Sequence, residues 1–382
     1  MSFKEVYITR TTSFFPNDPV SNDEMEDYLG YINKNPSKSK RIVLRNNGIK
    51  RRYYALTKEG KITHSNAQMT ALAVRGLFKG DPELLKSTEL LVCGTSSPDQ
   101  LMPSHAVMVH GELPETGSIE VVSPAGVCCA GMHALKYAYM SIKTGDVQQA
   151  VATGSERFSS LLRSDNFEDE IQKLVQLEEN PYIGFEKEFL RWMLSDGASA
   201  FLLSDKKNDD GISLRIEWLE GGSYANEMQV CMYMGGEKMK DGSLKGYMDY
   251  SPEEIVSKSV LSVKQDVKLL SEYIVLLGGI KLKEVLDKRG VRSDEIDYFL
   301  PHMSSEFFKS KIYDQLLKNG TGITYDKWFV NLSSVGNVGA GSVYLMIDEL
   351  FNSGKLKKGD KILLLVPESA RFSYAYGLLT AC

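Results

Sequence analysis

Two stretches of this sequence, about 210 residues apart, carry the same succession of structural signals. In each, an Ala-Gly pair precedes an apolar helical segment, a Gly-Asp pair ends it, and a β-rich run follows; the copies begin at Cys129 and Gly339. A duplicated helix–strand unit predicts that the chain consists of two similar halves. The polar run Ser204 to Gly211 follows a predicted strand and is the expected seam. We therefore expect an N-terminal domain at 1–205 and a C-terminal domain at 206–382.

Short β-rich runs also alternate with helical segments outside the repeat, which is the pattern of an α/β fold. Leu90 to Thr95 and Ile119 to Ser123 are predicted strands. Ser251-Pro-Glu-Glu254 has the residues of a capping box with proline at the first helical position. This motif predicts one long helix that extends to about Lys288, with Gly278-Gly279 as a break or a close-packing point.

The charge balance and the cysteine pattern argue against several classes of protein. Lys and Arg total 45 against 50 Asp and Glu, a formal net charge of −5, whereas nucleic-acid binding needs a basic surplus or stripe. The sequence begins without the apolar segment of a secretory signal, and no apolar run approaches the roughly 18 residues of a membrane span. Five cysteines without a C-x-x-C pair, and histidines without metal-ligand spacing, favour neither disulfides nor a metal site. We expect a protein of the reducing cytoplasm that binds neither nucleic acid nor membrane.

The segment Ser159 to Ser195 combines large apolar side chains with many acidic ones. Its apolar content is too high for a solvated linker. We expect it to be a lid, a dimer contact or part of a substrate wall.

Three residues are candidates for chemistry. Cys129 lies at a predicted strand-to-helix junction, where free backbone N–H groups and the positive helix end lower a thiol pKa and offer donors to an oxyanion. His302 follows the short strand Tyr298 to Pro301, at the sheet edge where α/β sites form. Asn337 lies in a glycine-rich turn before the second repeat helix. Each has a structural alternative: a small buried hydrophobe, a structural histidine and a left-handed turn residue.

Taken together, these motifs resemble the Cys-His-Asn set of the β-ketoacyl-acyl carrier protein synthase III family. The three core matches are Cys129-Ala-Gly-Met132, Leu300-Pro-His302 and Gly336-Asn-Val-Gly-Ala-Gly-Ser342. Further matching motifs, in order along nearly the whole chain, are Phe15-Pro16 with Ser21 to Glu24, Arg45 to Arg52, Thr95 to Ser104, Asp196-Gly197-Ala198 and Gly354 to Asp360.

The resemblance implies the thiolase fold, with two pseudo-symmetric βαβαβαββ halves in a five-layer αβαβα arrangement. It implies that Cys129 carries an acyl group while His302 and Asn337 donate hydrogen bonds to a second thioester. The backbone N–H groups of Cys129 and Arg371 would form the oxyanion hole. The family is dimeric, and Met102 falls where a residue projects into the partner's acyl tunnel. Acyl carrier protein or coenzyme A thioesters are the implied substrates, with no further cofactor.

The sequence also departs from the family pattern. Met303 to Phe307 replaces the usual residues after the histidine, and Ser369-Ala370-Arg371 replaces a glycine-rich loop. This reworked segment and the run Asn47 to Tyr54 resemble the ketosynthase/cyclases of dialkylresorcinol and stilbene biosynthesis, which implies Claisen condensation followed by ring closure to a cyclohexanedione. A chain-initiating synthase III of fatty acid or polyketide synthesis is the alternative. A degradative thiolase, which needs a second cysteine in the C-terminal loop, and a non-catalytic partner subunit are weaker alternatives.

Two further features have a predicted role. Glu156, after the repeat strand, is a candidate base for ring closure; the alternative is a structural carboxylate that accepts from loop N–H groups. The segment Lys34 to Arg52 is strongly basic, and an acidic carrier protein or the phosphates of coenzyme A are its expected partners. The arginines assigned to this docking site are Arg41, Arg45, Arg51 and Arg52. A solvated loop with dispersed charges is the alternative.

Overall fold

The computed structural model describes residues 3–31, 36–37, 40–79, 81–164 and 189–382. The strands within these ranges are β1 (Tyr7–Phe14), β2 (Val20–Ser21), β3 (Arg51–Arg52), β4 (Leu90–Gly94), β5 (Glu120–Val122), β6 (Gln149–Glu156), β7 (Gly197–Ser204), β8 (Leu214–Ser223), β9 (Met232–Tyr233), β10 (Gly236–Lys238), β11 (Leu244–Gly246), β12 (Lys264–Gln265), β13 (Tyr298–Pro301), β14 (Lys361–Glu368) and β15 (Ser373–Ala381). The helices are α1 (Met25–Leu29), α2 (Lys40–Asn47), α3 (Asn66–Leu77), α4 (Pro82–Lys86), α5 (His105–Gly111), α6 (Ala130–Thr144), α7 (Pro252–Ser257), α8 (Val267–Arg289), α9 (Lys309–Lys318), α10 (Leu332–Val335) and α11 (Ser342–Asn352).

The main sheet repeats one strand order in its two halves. The N-terminal half runs β5-β4-β6-β7-β1 and the C-terminal half runs β13-β14-β15-β8. The two half-sheets meet where Tyr7 and Ile8 of β1 pair with Arg215 and Leu214 of β8, which makes one nine-stranded sheet. A parallel bridge between Phe299 and Trp328 lies where β5 lies in the other half. The predicted pseudo-symmetry of the fold is confirmed, whereas the division into domains at 205/206 stays a prediction.

Alternation along the buried strands creates the layers. In β4, Leu90 and Val92 pack into a central core with α6 and α11, whereas Leu91 and Cys93 pack into an outer core with α3 and α5. In β14 the even-numbered apolar residues join the same central core, and Leu363 and Leu365 face a second outer core with α8 and α9. Because each half-sheet is covered on both faces, α6 and α11 form the middle of five alternating layers. The thiolase fold is therefore confirmed.

The predicted single helix from Ser251 to Lys288 is wrong. The capping box at Ser251 forms with Glu254, but α7 ends at Ser257, and Ser259 then adopts a positive φ of 48°. The chain pairs β12 with β9 before Asp266 caps α8 through the N–H of Leu269. Gly278-Gly279 lies inside α8 and is a close-packing point, because a Cβ on Gly278 would lie 2.7 Å from the Tyr374 ring. Among the described residues no helix is long and apolar enough to cross a membrane.

Candidate active site

A cavity whose empty space, together with its solvent-filled mouth, amounts to about 1190 Å³ lies where the carboxyl ends of β13 and β14 meet the start of α6. Its polar end is formed by Ser96, Cys128, His302, Asn337 and Gly339. The remainder is mostly apolar and runs between α8, α9 and the β9–β12 pair. The lining residues of that part include Leu270, Ile274, Val275, Ile312, Leu316 and Val263. Such a site suits a polar reacting group attached to an alkyl chain.

The structure places Cys128, and not Cys129, in the cavity wall. Cys129 is completely buried in the central core, and its Sγ donates to the carbonyl oxygen of Val366 at 3.4 Å. Cys128 is partly exposed and lines the cavity together with His302 and Asn337. The Cys129 thiol is therefore enclosed in the core, whereas the Cys128 thiol, which packs against the same core, also reaches the cavity wall. Which of the two thiols carries an acyl group stays a prediction.

The start of α6 is held by a carboxylate from the other half. Glu368, the last residue of β14, accepts the N–H of Val127 at 2.8 Å and the N–H of Cys129 at 3.0 Å through Oε2. The Cys129 N–H predicted for the oxyanion hole is thus already engaged. Burial, and then the charge of Glu368, raise the pKa of the Cys128 thiol well above its usual range. The predicted lowering of the Cys129 thiol pKa by the helix end is not found, because burial, and then the charge of Glu368, raise the pKa of that thiol as well.

His302 and Asn337 are each held by a hydrogen bond with the main chain. The His302 N–H donates to the carbonyl oxygen of Leu365 at 2.8 Å, which extends the β13–β14 pairing by one residue. Burial lowers the pKa of His302 to about 4, so its imidazole is neutral at pH 7. The Asn337 Oδ1 accepts the Gly339 N–H at 3.0 Å, which leaves the amide nitrogen as the end that can donate elsewhere. Both side chains can therefore act as neutral hydrogen-bond donors at the cavity.

Glu156 is completely buried behind the cavity wall and does not line it. It accepts hydrogen bonds from Thr95, Ser96 and Ser97 on one side and from the Ala340 N–H, at 3.1 Å, on the other. Burial raises the pKa of Glu156 to about 7 against these donors, which lower it. The contacts match the structural alternative, a carboxylate held by loop donors, and the role of Glu156 as a base for ring closure stays a prediction.

Of the other predicted site residues, Arg52 lies elsewhere than expected, whereas the roles of Arg371 and Met102 stay predictions. The Arg371 side chain is exposed and its Nε donates to the Met228 carbonyl oxygen at 2.8 Å, while Ser369 lines the cavity. Met102 is 85% exposed and does not line the cavity of its own chain. Arg52 is fully buried, with Nη1 donating to Asn22 Oδ1 at 2.6 Å. Its assignment to a docking surface is corrected, because in β3 successive side chains point to opposite faces and Arg51 takes the outer one.

The remaining docking residues and the insert fit the prediction in part. Arg41 and Arg45 on α2 and Arg51 on β3 are exposed. The end of the insert contributes Leu190 and Leu194 to the cavity wall, as expected of a substrate wall. Positions 165–188 of the insert, and Lys34 and Lys38 of the basic segment, lie outside the described residues.

Sequence reasoning missed much of the cavity. Ser96 lies in a motif that the resemblance covered, Thr95 to Ser104, but nothing in the motif marked it as a cavity residue. Gln265 and Ser369, whose side chains are hydrogen-bonded to each other at 3.1 Å, line the cavity from two distant segments. The apolar lining on α8 was hidden because the helix was predicted with a start at Ser251. A start at Asp266, which is a good N-cap residue, is the signal that was available.

Comparison with known proteins agrees with this architecture. Residues 286–368 match the family model of the 3-oxoacyl-[acyl-carrier-protein (ACP)] synthase III C terminal. A β-ketoacyl-[acyl-carrier-protein] synthase III of Clostridium perfringens is 25% identical over 92% of each chain. Among solved structures, AbyA1, a tetronic acid condensing enzyme, superimposes with a TM-score of 0.73 at 18% identity over 98% of this chain and 99% of that one. OleA of Xanthomonas campestris, solved with lauric acid and lauroyl-CoA bound, gives 0.71 at 19% identity over 99% of each chain.

The similarity to curated synthases over most of the chain, together with the C-terminal family model and the thiolase fold, indicates a condensing enzyme, an acyltransferase. Within that class the chain is synthase III-like: the matching motifs, the C-terminal family model and the similarity over most of the chain all point to the same family. The resemblance stated from the sequence is confirmed at this level.

Proposed function

We propose that this protein condenses two acyl thioesters through an acyl-enzyme on Cys128. The observation that carries the proposal is that Cys128, His302 and Asn337 all line one mostly apolar cavity. A thiol beside two neutral donors is the set that thioester exchange followed by enolate attack requires. The apolar length of the cavity favours a first acyl chain of medium or greater length.

In the first step the Cys128 sulfur attacks the incoming thioester carbonyl carbon, and the carrier thiol leaves with the proton that Cys128 gives up. In the second step a second thioester binds with its carbonyl oxygen near His302 and Asn337. Their hydrogen bonds stabilise its enolate, and each is worth roughly 2–4 kcal/mol in a water-poor site. The enolate carbon attacks the acyl carbonyl, the bond to the Cys128 sulfur breaks, and a β-ketoacyl thioester results.

The test is intact-mass spectrometry after incubation with octanoyl-coenzyme A. We expect the wild-type chain to gain one octanoyl group. Cys128→Ala should gain none, and Cys129→Ala, the matched control at the adjacent position, should still be acylated. Acylation that survives in Cys128→Ala and disappears in Cys129→Ala would return the nucleophile to Cys129.

Ring closure is the finer part of the proposal. The reworked segment after His302 and its resemblance to the ketosynthase/cyclases support a cyclohexanedione product, and a simple β-ketoacyl thioester is the alternative. NMR of the product from paired oct-2-enoyl and β-ketoacyl thioesters separates the two. The six-membered ring closes when the γ-carbon of the β-ketoacyl unit adds to the enoyl double bond, whereas a linear product retains that double bond.

The proposed carrier surface consists of the exposed Arg41, Arg45 and Arg51. Arg45→Ala with Arg51→Ala should raise the KM for an acyl carrier protein thioester severalfold, with less effect on a short thioester mimic, and the difference should shrink as salt rises. Arg52→Ala is the contrasting variant: its side chain is buried, so it should lower stability and show no salt-dependent change in KM. An equal, salt-independent loss on both substrates in Arg45→Ala/Arg51→Ala would remove the docking assignment.

We also retain the homodimer as a proposal. Leu101 and Met102 are exposed by 72% and 85%, and two adjacent apolar side chains at a loop tip favour contact with a second copy. Met102 would then reach the partner's acyl chain. Sedimentation at micromolar concentration should give twice the chain mass of 42.7 kDa.

A further inference from the structure

One hydroxyl connects the cavity to the buried Glu156. Ser96 lines the polar end of the cavity, and its Oγ donates to Glu156 Oε1 at 2.8 Å. Glu156 also lies directly behind Gly339, where an added Cβ would come within 2.8 Å of Oε1. The carboxylate is thus one side chain away from the space that a substrate would fill.

We infer that Ser96 and Glu156 form a proton relay that removes a proton from the α-carbon of the second thioester. This inference rests on the proposed condensation and adds the base that the Cys-His-Asn set lacks. A hydroxyl that is hydrogen-bonded to a carboxylate can accept a proton from the cavity as it gives its own proton to that carboxylate. The relay serves a donor thioester that reacts by loss of a C–H proton.

The step balances within the residues named. The α-carbon loses its proton to the Ser96 Oγ, the Ser96 proton passes to Glu156, and the electron pair remains on the enolate whose oxygen faces His302 and Asn337. After the carbon–carbon bond forms, the thiolate of Cys128 departs. The proton held by Glu156 returns through Ser96 to that thiolate, which restores the starting thiol.

The other titratable groups near Glu156 do not compete for this proton. Burial lowers the pKa of His105, which reaches Ser155 at 3.2 Å, to about 4. Arg157 and Asp99 neutralise each other in an ion pair at 3.2 Å. Cys128 faces the same cavity end with its thiol pKa raised, and His302 is neutral with a pKa of about 4. Glu156 is the one of these groups whose pKa, about 7, matches a base at neutral pH.

The structure supplies a matched control for Ser96. Ser97 also donates to Glu156, through its Oγ to Oε2 at 2.6 Å, but it is buried and does not line the cavity. Ser96→Ala and Ser97→Ala each remove one hydroxyl from the same carboxylate. A purely structural role for Glu156 predicts similar losses, whereas a relay predicts a large loss only in Ser96→Ala.

The experiment is deuterium incorporation at the α-carbon of octanoyl-coenzyme A in D₂O, followed by mass spectrometry across pH 5 to 9. We expect wild-type exchange to rise with a midpoint near pH 7, Ser96→Ala to lose at least about tenfold, and Ser97→Ala to stay within about threefold of wild type. Glu156→Gln should remove the pH-dependent rise. Equal losses in the two serine variants, or wild-type exchange no faster than in buffer, would overturn the relay.

Acylation at Cys128 is measured on the same samples. Acylation without deuterium incorporation removes the relay and leaves the condensation proposal standing, whereas loss of acylation in the wild type removes the condensation itself. Ser96→Ala should retain acylation, because the first step takes no proton from carbon.

Discussion

The beginnings of α6 and α11 occupy equivalent positions in the two halves, and each is held by a glutamate from the other half. Glu368 at the end of β14 accepts the Cys129 N–H before α6. Glu156 at the end of β6 accepts the Ala340 N–H before α11. The duplicated fold has thus kept a reciprocal contact between a strand end and a helix start, and both contacts cross between halves.

The two glutamates differ in their other hydrogen-bond donors. The donors to Glu368 are main-chain N–H groups, those of Val127 and Cys129. Glu156 also accepts side-chain hydroxyls, one of which, from Ser96, lines the cavity. In the same backbone arrangement, Glu368 therefore stabilises a turn in one half, whereas Glu156 is hydrogen-bonded to a residue of the cavity wall in the other.

The largest expected effect is at the glycines where the two central helices meet the other half. A Cβ on Gly131 would lie 2.3 Å from the Ala340 carbonyl oxygen, whereas a Cβ on the equivalent Gly341 would lie 3.0 Å from that of Gly154. Gly131→Ala should lower the free energy of unfolding by about 3 kcal/mol or more, and Gly341→Ala by about 1–2 kcal/mol. Urea denaturation measures both. Gly111→Ala, with open space around it, is the control, and equal losses at 131 and 341 would mean that the helix starts tolerate the same strain.

The next effect is the pH dependence that Glu156 introduces. Its pKa is raised from 4.5 to about 7 in the folded chain, so the folded state binds more protons than the unfolded state between these values. Stability from this group therefore falls as pH rises through about 4.5 to 7, by up to about 3 kcal/mol. The wild type should show this fall in urea denaturation at a series of pH values, and Glu156→Gln should lack this contribution. An unchanged slope in the variant would show that the charge of Glu156 is compensated elsewhere.

The smallest effect is expected for Glu368→Gln. Both N–H groups donate to the same atom, Oε2, which the amide oxygen of glutamine can replace, so only the strength that the charge adds is lost and the stability loss should be about 1 kcal/mol. Because the charge of Glu368 raises the pKa of the Cys128 thiol, its removal should speed alkylation of Cys128 by iodoacetamide about three- to tenfold at pH 8. Glu83→Gln, at an exposed site, is the control for net charge. An unchanged alkylation rate would mean that Glu368 acts only through its hydrogen bonds to the main chain and does not affect the reactivity of the Cys128 thiol.

The pseudo-symmetric fold was predictable because short sequence motifs indicate it locally. The Ala-Gly pairs lie at the starts of both central helices and Gly145-Asp146 follows α6, whereas α11 ends at Asn352, before its predicted end at Gly359-Asp360. Alternation in Leu90 to Gly94 assigns each side chain to a layer. The choice between Cys128 and Cys129 was not predictable in this way. Both precede the same helix, and their orientations depend on the contacts of Val366 and Glu368, which arrive from 237 and 239 residues away.

Two other differences have the same origin in long-range contacts. Arg52 reads as part of a basic surface, yet pairing of β3 with β2 turns it inward to Asn22. The chain between α7 and α8 reads as helix, yet β12 pairs with β9 from a segment about 30 residues earlier. In both cases a partner distant in sequence, rather than local propensity, decides which way the side chains face.

The packing of α8 against β15 has a consequence for how the cavity discriminates among chains. Tyr374 and Tyr376 donate their hydroxyls to the carbonyl oxygens of Ile274 and Gly278, at 3.0 and 2.9 Å. Both of these acceptor residues also line the cavity. Because α8 is hydrogen-bonded to β15 at two points one turn apart, it cannot move away to admit a wider acyl chain. The width of the cavity is therefore fixed before any substrate binds. We expect the cavity to select acyl chains by their width, so that straight chains bind and methyl-branched chains of equal length do not.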